Sequence, residues 1–502
     1  MENQQTVAQA VKKVFEPSAQ QADFFNWITH GAGSCVLEAR AGTGKTTTLI
    51  EALMRMQGSI FFGAYNKKIA VEIEQRAPKL PNLAISTMHA AGFGIWRKVH
   101  RGVKVNNNKC RDLFREMIST ENPHRQLESI VLKLVSYAKQ AGLGILVSGK
   151  ADQSWFDLIE HFDIDTLDLG TEVIDLSKRI LAKSIAADNV QVDFDDMIYA
   201  PLVHKCKAPE YDWVLIDEAQ DTNATRRALA LLMLKRGGRL VAVGDRHQAI
   251  YGFTGADADA LDLIAKAVSA VSMPLTVTYR CPKSVIAEAH KYVTDIEAHP
   301  SAPEGKVSNL VGSIVQAAKP GDAILCRFNA PIIELVYTFI AEGVAAKVEG
   351  RDIGSGLKSL ARRWKVKSFA ALNSRLDTYL EREVAKYRAK EQESRAAAVE
   401  DKVTCVKVIA ARVERLQPGV HDAVQAVCDE IDKIFVDTDG TTDASKFVLL
   451  STIHKSKGRE FDRVIWLQTG PSKWARMAWE QIQEKNLCYV AITRAKKELV
   501  FA

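Results

Sequence analysis

At 502 residues the chain is too long for a single hydrophobic core, and about three or four domains are expected. Hydrophobic residues make up 47% and charged residues 25%, a balance that excludes a disordered chain, and no apolar run is long enough to suggest a membrane span. A net charge of +6 is too small to decide by itself for or against a polyanionic partner.

In chain order, the mixed-charge start from Met1 to Lys13 lacks the basic head and long apolar core of a secretory signal. A cytoplasmic setting is therefore expected in a prokaryote or phage host, and a nuclear one in a eukaryote. Val36 and Leu37 close an apolar run, Glu38-Ala39-Arg40-Ala41-Gly42-Thr43-Gly44-Lys45-Thr46 follows as a loop, and Thr47 to Met54 reads as a helix. Glycines let such a loop turn successive backbone N–H groups onto one anion, and the helix start adds a favourable dipole. Residues Ala41 to Thr47 are thus expected to cradle phosphates, with Lys45 on the β- and γ-phosphates and the Thr46 hydroxyl on Mg²⁺. The first position of the usual glycine pattern is Ala39, so a strict match fails, although Gly42 and Gly44 supply the tight part.

From about Arg97 to Ala187 the chain offers helical stretches such as Leu127 to Ala141 and no chemical motif. Trp213-Val214-Leu215-Ile216 then reads as a strand ending in Asp217-Glu218-Ala219-Gln220-Asp221. Asp217 is expected to hold Mg²⁺ and Glu218 to orient and deprotonate water; the alternative is an acidic helix start. A third strand, Leu240 to Val243, leads into the segment Gly244 to Ala256. There the Gln248 amide can sense a γ-phosphate, and Tyr251 and Phe253, two apart, either show ring faces to bases or pack as core. Further on, Lys358, Arg362, Arg363, Lys365 and Lys367 surround Trp364, either as a phosphate-following patch or as a solvated helix face. Leu376 to Leu416 has no Gly or Pro and reads as helix. The eight cysteines are scattered singly, which suggests reduced thiols and no metal site.

Together and in this order, these segments resemble the superfamily 1 helicases, and Gly244 to Ala256 is similar to the third motif of the UvrD/Rep/PcrA group. The resemblance implies an α/β fold with two RecA-like motor domains, parallel sheets flanked by helices, each carrying a mainly helical insertion. It divides the chain into a first motor domain (1–96 and 188–276), its insertion (97–187), a second motor domain (277–350 and 446–502) and a reduced insertion (351–445). It implies ATP and Mg²⁺ as cofactors, and 3′ to 5′ DNA helicase activity on single-stranded DNA and its junctions with duplex. RNA as the track stays open, because phosphate contacts and stacking do not distinguish the sugar. Two rivals stand beside the helicase: a translocase that strips proteins without unwinding, and an ATP-gated binding subunit of a repair or defence complex.

The resemblance also assigns residues. Gln21, after Pro17-Ser18-Ala19-Gln20, matches the adenine reader, and Tyr65, Asn66, Thr87 and His89 resemble first-domain strand contacts. Phe194, in Asp193-Phe194-Asp195-Asp196, would lie along the DNA; Tyr279 would stack on adenine and Arg280 approach the γ-phosphate. The fifth motif, Ser451 to Phe461, would link nucleotide to strand, with His454 on the strand side and Glu460 on the nucleotide side. In the sixth, Asn486 to Lys496, Arg494 would be the arginine finger; a surface salt bridge is the alternative for either arginine. Two departures are evident. Ala64 stands where the family commonly places a stacking aromatic, and Tyr65 would face the other way if the strand continued through it. The second insertion is short, resembling compact phage-type members or the core of the eukaryotic F-box DNA helicase.

Overall fold

Among the described residues, two parallel sheets organise the chain. The first contains β1 (Cys35–Ala39), β2 (Ile60–Ala64), β3 (Leu83–Thr87), β4 (Tyr211–Ile216), β5 (Leu234–Gly244) and β6 (Val271–Leu275), in the order β3-β2-β4-β5-β1-β6. The second contains β7 (Lys306–Asn309), β8 (Ala323–Cys326), β9 (Ala346–Glu349), β10 (Phe435–Val436), β11 (Val448–Thr452), β12 (Phe461–Leu467) and β13 (Ala495–Phe501), in the order β7-β13-β12-β8-β11-β9-β10. The structure is a computed structural model and describes residues 15–119, 122–146, 152–162, 164, 166–186, 190–252, 259–389, 393–436, 444–470 and 478–502. Phe253 lies outside them. No helix among them is long and apolar enough to cross a membrane.

The central strands are apolar where both faces of their sheet are covered, as in Ile60–Ala64, Ala323–Cys326 and the Leu240–Gly244 end of β5. Side chains alternate across the pleat. Leu37, Phe62, Leu215 and Val241 enter one core, while their neighbours Val36, Phe61, Val214 and Leu240 enter the opposite one. The second sheet repeats this, with Ile324, Leu450 and Ile465 on one face and Leu325, Leu449 and Val464 on the other. Register brings the carboxyl ends of β1, β4, β5 and β6 to one edge: Glu38 lies beside Gly244, Ala39 beside Leu275, and Ile216 beside Ala242. The phosphate loop, the Asp217–Asp221 segment and the Gln248 segment all leave the sheet at that edge, the usual ligand edge of a parallel sheet.

The helices of the first insertion (Lys109–Met117, Glu128–Ala141, Asp152–His161 and Gly170–Ser184) enclose a core of their own around Phe114, Leu134, Trp155 and Ile180. The expected Leu127 to Ala141 helix is thus present, preceded by a tighter turn over Pro123–Leu127. At the neck, buried lysines meet buried acids: Lys109 Nζ lies 2.6 Å from Asp196, and Lys139 Nζ lies 2.6 Å from Asp193 and 2.7 Å from Asp196. The second insertion behaves differently, since Leu357, Leu372, Val406 and Ile431 share one core with the second sheet. The stretch Leu376 to Leu416, expected to be helical, lies in two helices, Phe369–Ala389 and Glu393–Leu416. Asp377 meets Lys407 and Arg388 meets Glu400, the register of an antiparallel pair. Residues of good helix propensity cross this break, so burial against a neighbour, and not a local signal, decides it.

The basic segment around Trp364 is mostly ordinary surface. Lys358 pairs with Asp432 at 2.6 Å, Arg362 reaches Gln425, and Trp364 packs edge-on against Tyr379. All eight cysteines are unpaired, and six are buried.

Candidate functional site

The loop after β1 is built for an anion. Gly42 and Gly44 have φ of +73° and +79°, and a Cβ on Gly42 would come within 2.5 Å of Thr278 Oγ1 and Arg280 Cβ. Only glycine fits there. Ala39 ends a regular strand with no such demand, which explains why the leading glycine of the pattern is dispensable. Gly44 caps the helix Lys45–Ala52 without any side-chain bond, so the first N–H groups are left for a ligand. Lys45 Nζ is buried and has no hydrogen-bond partner among the described residues. A buried ammonium left this way is costly unless an anion reaches it. The expected helix from Thr47 to Met54 begins two residues earlier and tightens over Leu53–Arg55.

Facing the loop, Thr46 Oγ1 donates to Asp217 Oδ2 at 3.0 Å, which places the two expected metal ligands together. Glu218 has φ of +51°, a left-handed conformation rarely tolerated by a side-chain-bearing residue. Gln220 Nε2 donates to its Oε2 at 2.5 Å, and the Gln220 Oε1 accepts from Asp245 N. Burial first, and the Glu218 charge second, push the Asp217 carboxyl up to about 6. Burial opposes ionisation of Glu218 too, but Lys45 and Lys457 outweigh it and hold that carboxyl down at about 2. Buried Asp217 with the Thr46 hydroxyl, beside half-buried Glu218, would hold a divalent cation, and the Lys45 ammonium would take a phosphate oxygen.

The second lobe reaches into this site. Arg494 is 1% exposed, and its hydrogen bonds go to Val490 O (3.0 Å), Arg459 O (3.0 Å) and Thr493 Oγ1 (3.2 Å). None of these partners is a carboxylate, so the surface salt-bridge alternative does not describe it. Burial, then the Arg280 charge, lowers its pKa to about 10, which leaves it a cation at neutral pH. Arg280 does form an ion pair, with Glu460 at 2.6 Å. Gln248 Nε2 donates to buried Asp245 at 2.7 Å, and its carbonyl accepts from Lys457 Nζ at 2.6 Å. Tyr489 OH accepts from Ala41 N at 2.9 Å and donates to Asp245 at 3.2 Å, so the second lobe touches the phosphate loop directly.

An adjoining cleft of about 860 Å³ is lined by Gln21, Gly44, Thr47, Tyr279, Arg280 and His299. Gln21 is held by a capping box with Ser18 and donates to Thr48 Oγ1, while Gln20 is used up on Thr276. Tyr279 is half exposed, its ring 4.9 Å from that of His299.

The candidate strand contacts are more dispersed. Asn66 and Thr87 cap the helices Lys67–Arg76 and Met88–Val99, accepting from Ile69 N and Ala90 N. His89 stacks on exposed Phe194 with ring centroids 3.9 Å apart. Tyr65 lies beyond the end of β2, so the pleat no longer dictates its direction. Its ring runs within 12° of parallel to that of Tyr251, at 6.4 Å. Tyr251 OH donates to His454 O at 3.1 Å. Burial, reinforced by nearby cations, drives both His89 and His454 down to about 3.

Lys457 escaped the sequence-level site assignment. Its Nζ lies 2.6 Å from Asp221 and from Gln248 O, and 4.7 Å from the Tyr251 ring centre. Its place within the fifth-motif segment was the available signal. Asp245, Gln220 and Tyr489 were missed likewise, because their roles are hydrogen bonds between segments distant in sequence.

Two RecA-like parallel sheets, one bearing a phosphate loop and the other delivering a buried arginine to it, define a two-lobed P-loop α/β protein. Residues 21–269 match the model of the UvrD/REP helicase N-terminal domain, and residues 353–502 that of the UvrD-like helicase C-terminal domain. The chain belongs to the UvrD/Rep-like helicase family. It is 24% identical over 499 residues to F-box DNA helicase protein 1 of Schizosaccharomyces pombe, covering 92% of this chain and 55% of that protein. It is 26% identical over 294 residues to the ATP-dependent DNA helicase Rep of Buchnera aphidicola subsp. Schizaphis graminum, covering 52% and 42% respectively. A probable DNA helicase II homolog of Rickettsia felis is also 26% identical, over 292 residues, with 53% and 43% covered. The chain spans about half the length of the curated relatives it matches.

Proposed function

We propose that the chain is an ATP-driven motor that moves 3′ to 5′ on single-stranded DNA and separates duplex ahead of it. The observation that carries this reading is Arg494, a buried cation from one lobe with no carboxylate partner, whose charge acts on Glu218 of the other. A pure nucleotide binder needs neither an ionised glutamate nor a guanidinium delivered across a cleft. In this division, 1–96 with 188–276 and 277–350 with 446–502 are the motor domains, and 97–187 and 351–445 their insertions.

Gln21 and Tyr279 hold the adenine, residues 41–47 cradle the phosphates, and Thr46 with Asp217 would hold Mg²⁺. That ion, when bound, supplies charge neutralisation on the phosphate oxygens. Glu218 orients the attacking water and takes its proton, while Lys45, Arg280 and Arg494 stabilise charge on the phosphoryl group. Arg280 must leave Glu460 or share it to do so. Gln248 senses the γ-phosphate, and Lys457 passes that state to Tyr251. On the strand side Tyr65, Asn66, Thr87, His89, Phe194, Tyr251 and His454 line the track. Cleft closure on ATP and reopening after hydrolysis then become alternating grip.

The test is ATPase measured with single-stranded DNA, with RNA and with no polymer, beside unwinding of duplexes with either overhang. DNA stimulation and a 3′ preference are expected. Glu218→Gln should lower the stimulated rate by about a hundredfold or more while nucleotide still binds. A variant that hydrolyses at the parental rate would show that Glu218 is not the base. Stimulation without unwinding would instead favour a translocase, a reading supported by the way the reduced insertion is fused into the second lobe's core.

A further inference from the structure

A cleft of about 930 Å³ separates the two helical insertions. The first contributes Lys133 and the second Arg363, Arg382 and Lys386, against one carboxylate, Glu383, among the described residues lining it. The aromatic centre of this cleft is Tyr379. Its ring is fixed edge-on by Trp364 at 5.7 Å, with the Arg363 and Arg382 guanidiniums 5.1 and 5.9 Å from its centre. On the opposite wall Lys133 lies 5.4 Å from the ring centre of Tyr137.

We propose that this cleft is a second single-strand site, taking unpaired nucleotides beyond those held between the motor lobes. Three observations support it. Cations from two different insertions converge on one gap, and Lys133, Arg363 and Arg382 are exposed there; Glu383 pairs with Arg382 at 2.7 Å, and the remaining positive charge favours a polyanion. An aromatic ring flanked by guanidiniums offers a base both stacking and cation–π attraction, which an unpaired base can reach and a paired one cannot. The cleft also borders, at Ala398, a neighbouring cavity whose lining includes Arg327 and Phe328 of the second lobe. A strand crossing the second lobe would find basic and aromatic groups onward between the insertions. The reduced second insertion acquires a role by this route: it closes the far wall of the track.

The proposal rests on the single-strand reading above, and its test separates the two. Fluorescence anisotropy with oligo(dT) of graded length is measured for the full chain and for the Lys133→Glu/Arg382→Glu double variant, whose exposed sites leave folding undisturbed. Short oligonucleotides, which fill only the motor cleft, should bind both equally and support equal ATPase. With longer ones the parental affinity should keep rising after the variant's has levelled. Its salt dependence should be steeper by about 1.4 in log–log slope, two phosphate contacts at about 0.7 each. Tyr379→Ala should level off like the double variant, and Tyr379→Phe should restore the parental behaviour. Equal binding by parent and double variant at every length overturns the second site and assigns the cleft's charge to a protein contact. Failure of the parental chain to bind any oligo(dT) overturns both readings.

Discussion

Arg494 shows how burial turns a residue type into a role. A guanidinium left among carbonyls and a hydroxyl loses hydration without gaining an opposite charge, so its environment is complete only when an anion arrives. Arg494→Ala should therefore cut ATP turnover by about a thousandfold while ATP affinity, read by a fluorescent analogue, changes much less. A comparable fall in both would make it a binding residue only. His89 and His454 carry a different consequence. Both are held neutral, titrating near 3 in the folded chain, whereas an unfolded histidine titrates near 6.5. Between those values the unfolded chain binds protons that the folded one refuses, so stability present above 6.5 is lost as pH falls. The melting temperature should drop between about pH 7.5 and about pH 5.5, and drop less in a His89→Gln/His454→Gln variant. Of this site, the sequence made legible the groups whose type and spacing are the chemistry: Lys45, Thr46, Asp217, Glu218 and Arg494. The buried Lys139–Asp193–Asp196 cluster was not legible, because Lys139 stands far from its partners along the chain and nothing local announces the pairing.

Elements explain why some candidate contacts carry two duties. Asn66 ends the loop after β2 and begins the helix Lys67–Arg76, so its side-chain oxygen is already committed to Ile69 N at 2.9 Å. Removing the cap costs about 1 kcal/mol, enough to move a helix that presents the strand side. Loss of strand affinity in Asn66→Ala alone would thus be ambiguous. Asn66→Asp resolves it, since aspartate caps equally well but adds a negative charge beside the track. Thermal stability is expected to stay at the parental level while affinity for single strands falls several-fold, more at low salt. Equal affinity across salt would remove Asn66 from the track and leave it a cap. Periodicity revealed strands and helices here, but it could not show that the long Ala- and Glu-rich stretch supplies two helices, Phe369–Ala389 and Glu393–Leu416, packed as a pair. Charge pairs such as Arg388–Glu400 fix that only once both arms are placed.

At the scale of the whole molecule, the lobes are joined by specific side-chain contacts around the phosphate loop. Arg40 of the phosphate loop makes a bidentate pair with Asp295 (2.8 and 2.6 Å), and Asn486 donates to Arg246 O and Ala249 O. Most such contacts touch the nucleotide side alone. Lys457 is different, because one ammonium meets Asp221 beside the acidic strand end, the backbone carbonyl of Gln248, and the face of Tyr251. It is 7% exposed, so each partner would be left uncompensated in its absence. A shift of Gln248 is thereby transmitted to a ring on the strand side through a single side chain, and a strand pressing on Tyr251 acts back on Gln248. Linkage requires that coupling to be reciprocal for binding. Lys457→Met keeps the aliphatic stem and removes the charge. It should leave ATPase without polymer within a few-fold of the parental value, abolish most stimulation by single-stranded DNA, and equalise strand affinity with and without a non-hydrolysable ATP analogue. Asp221→Asn should reproduce part of that uncoupling, since it weakens the same ammonium from the other side. If stimulation survives in Lys457→Met while basal turnover collapses, Lys457 serves hydrolysis itself, and the coupling must run through Tyr489 and the phosphate loop instead.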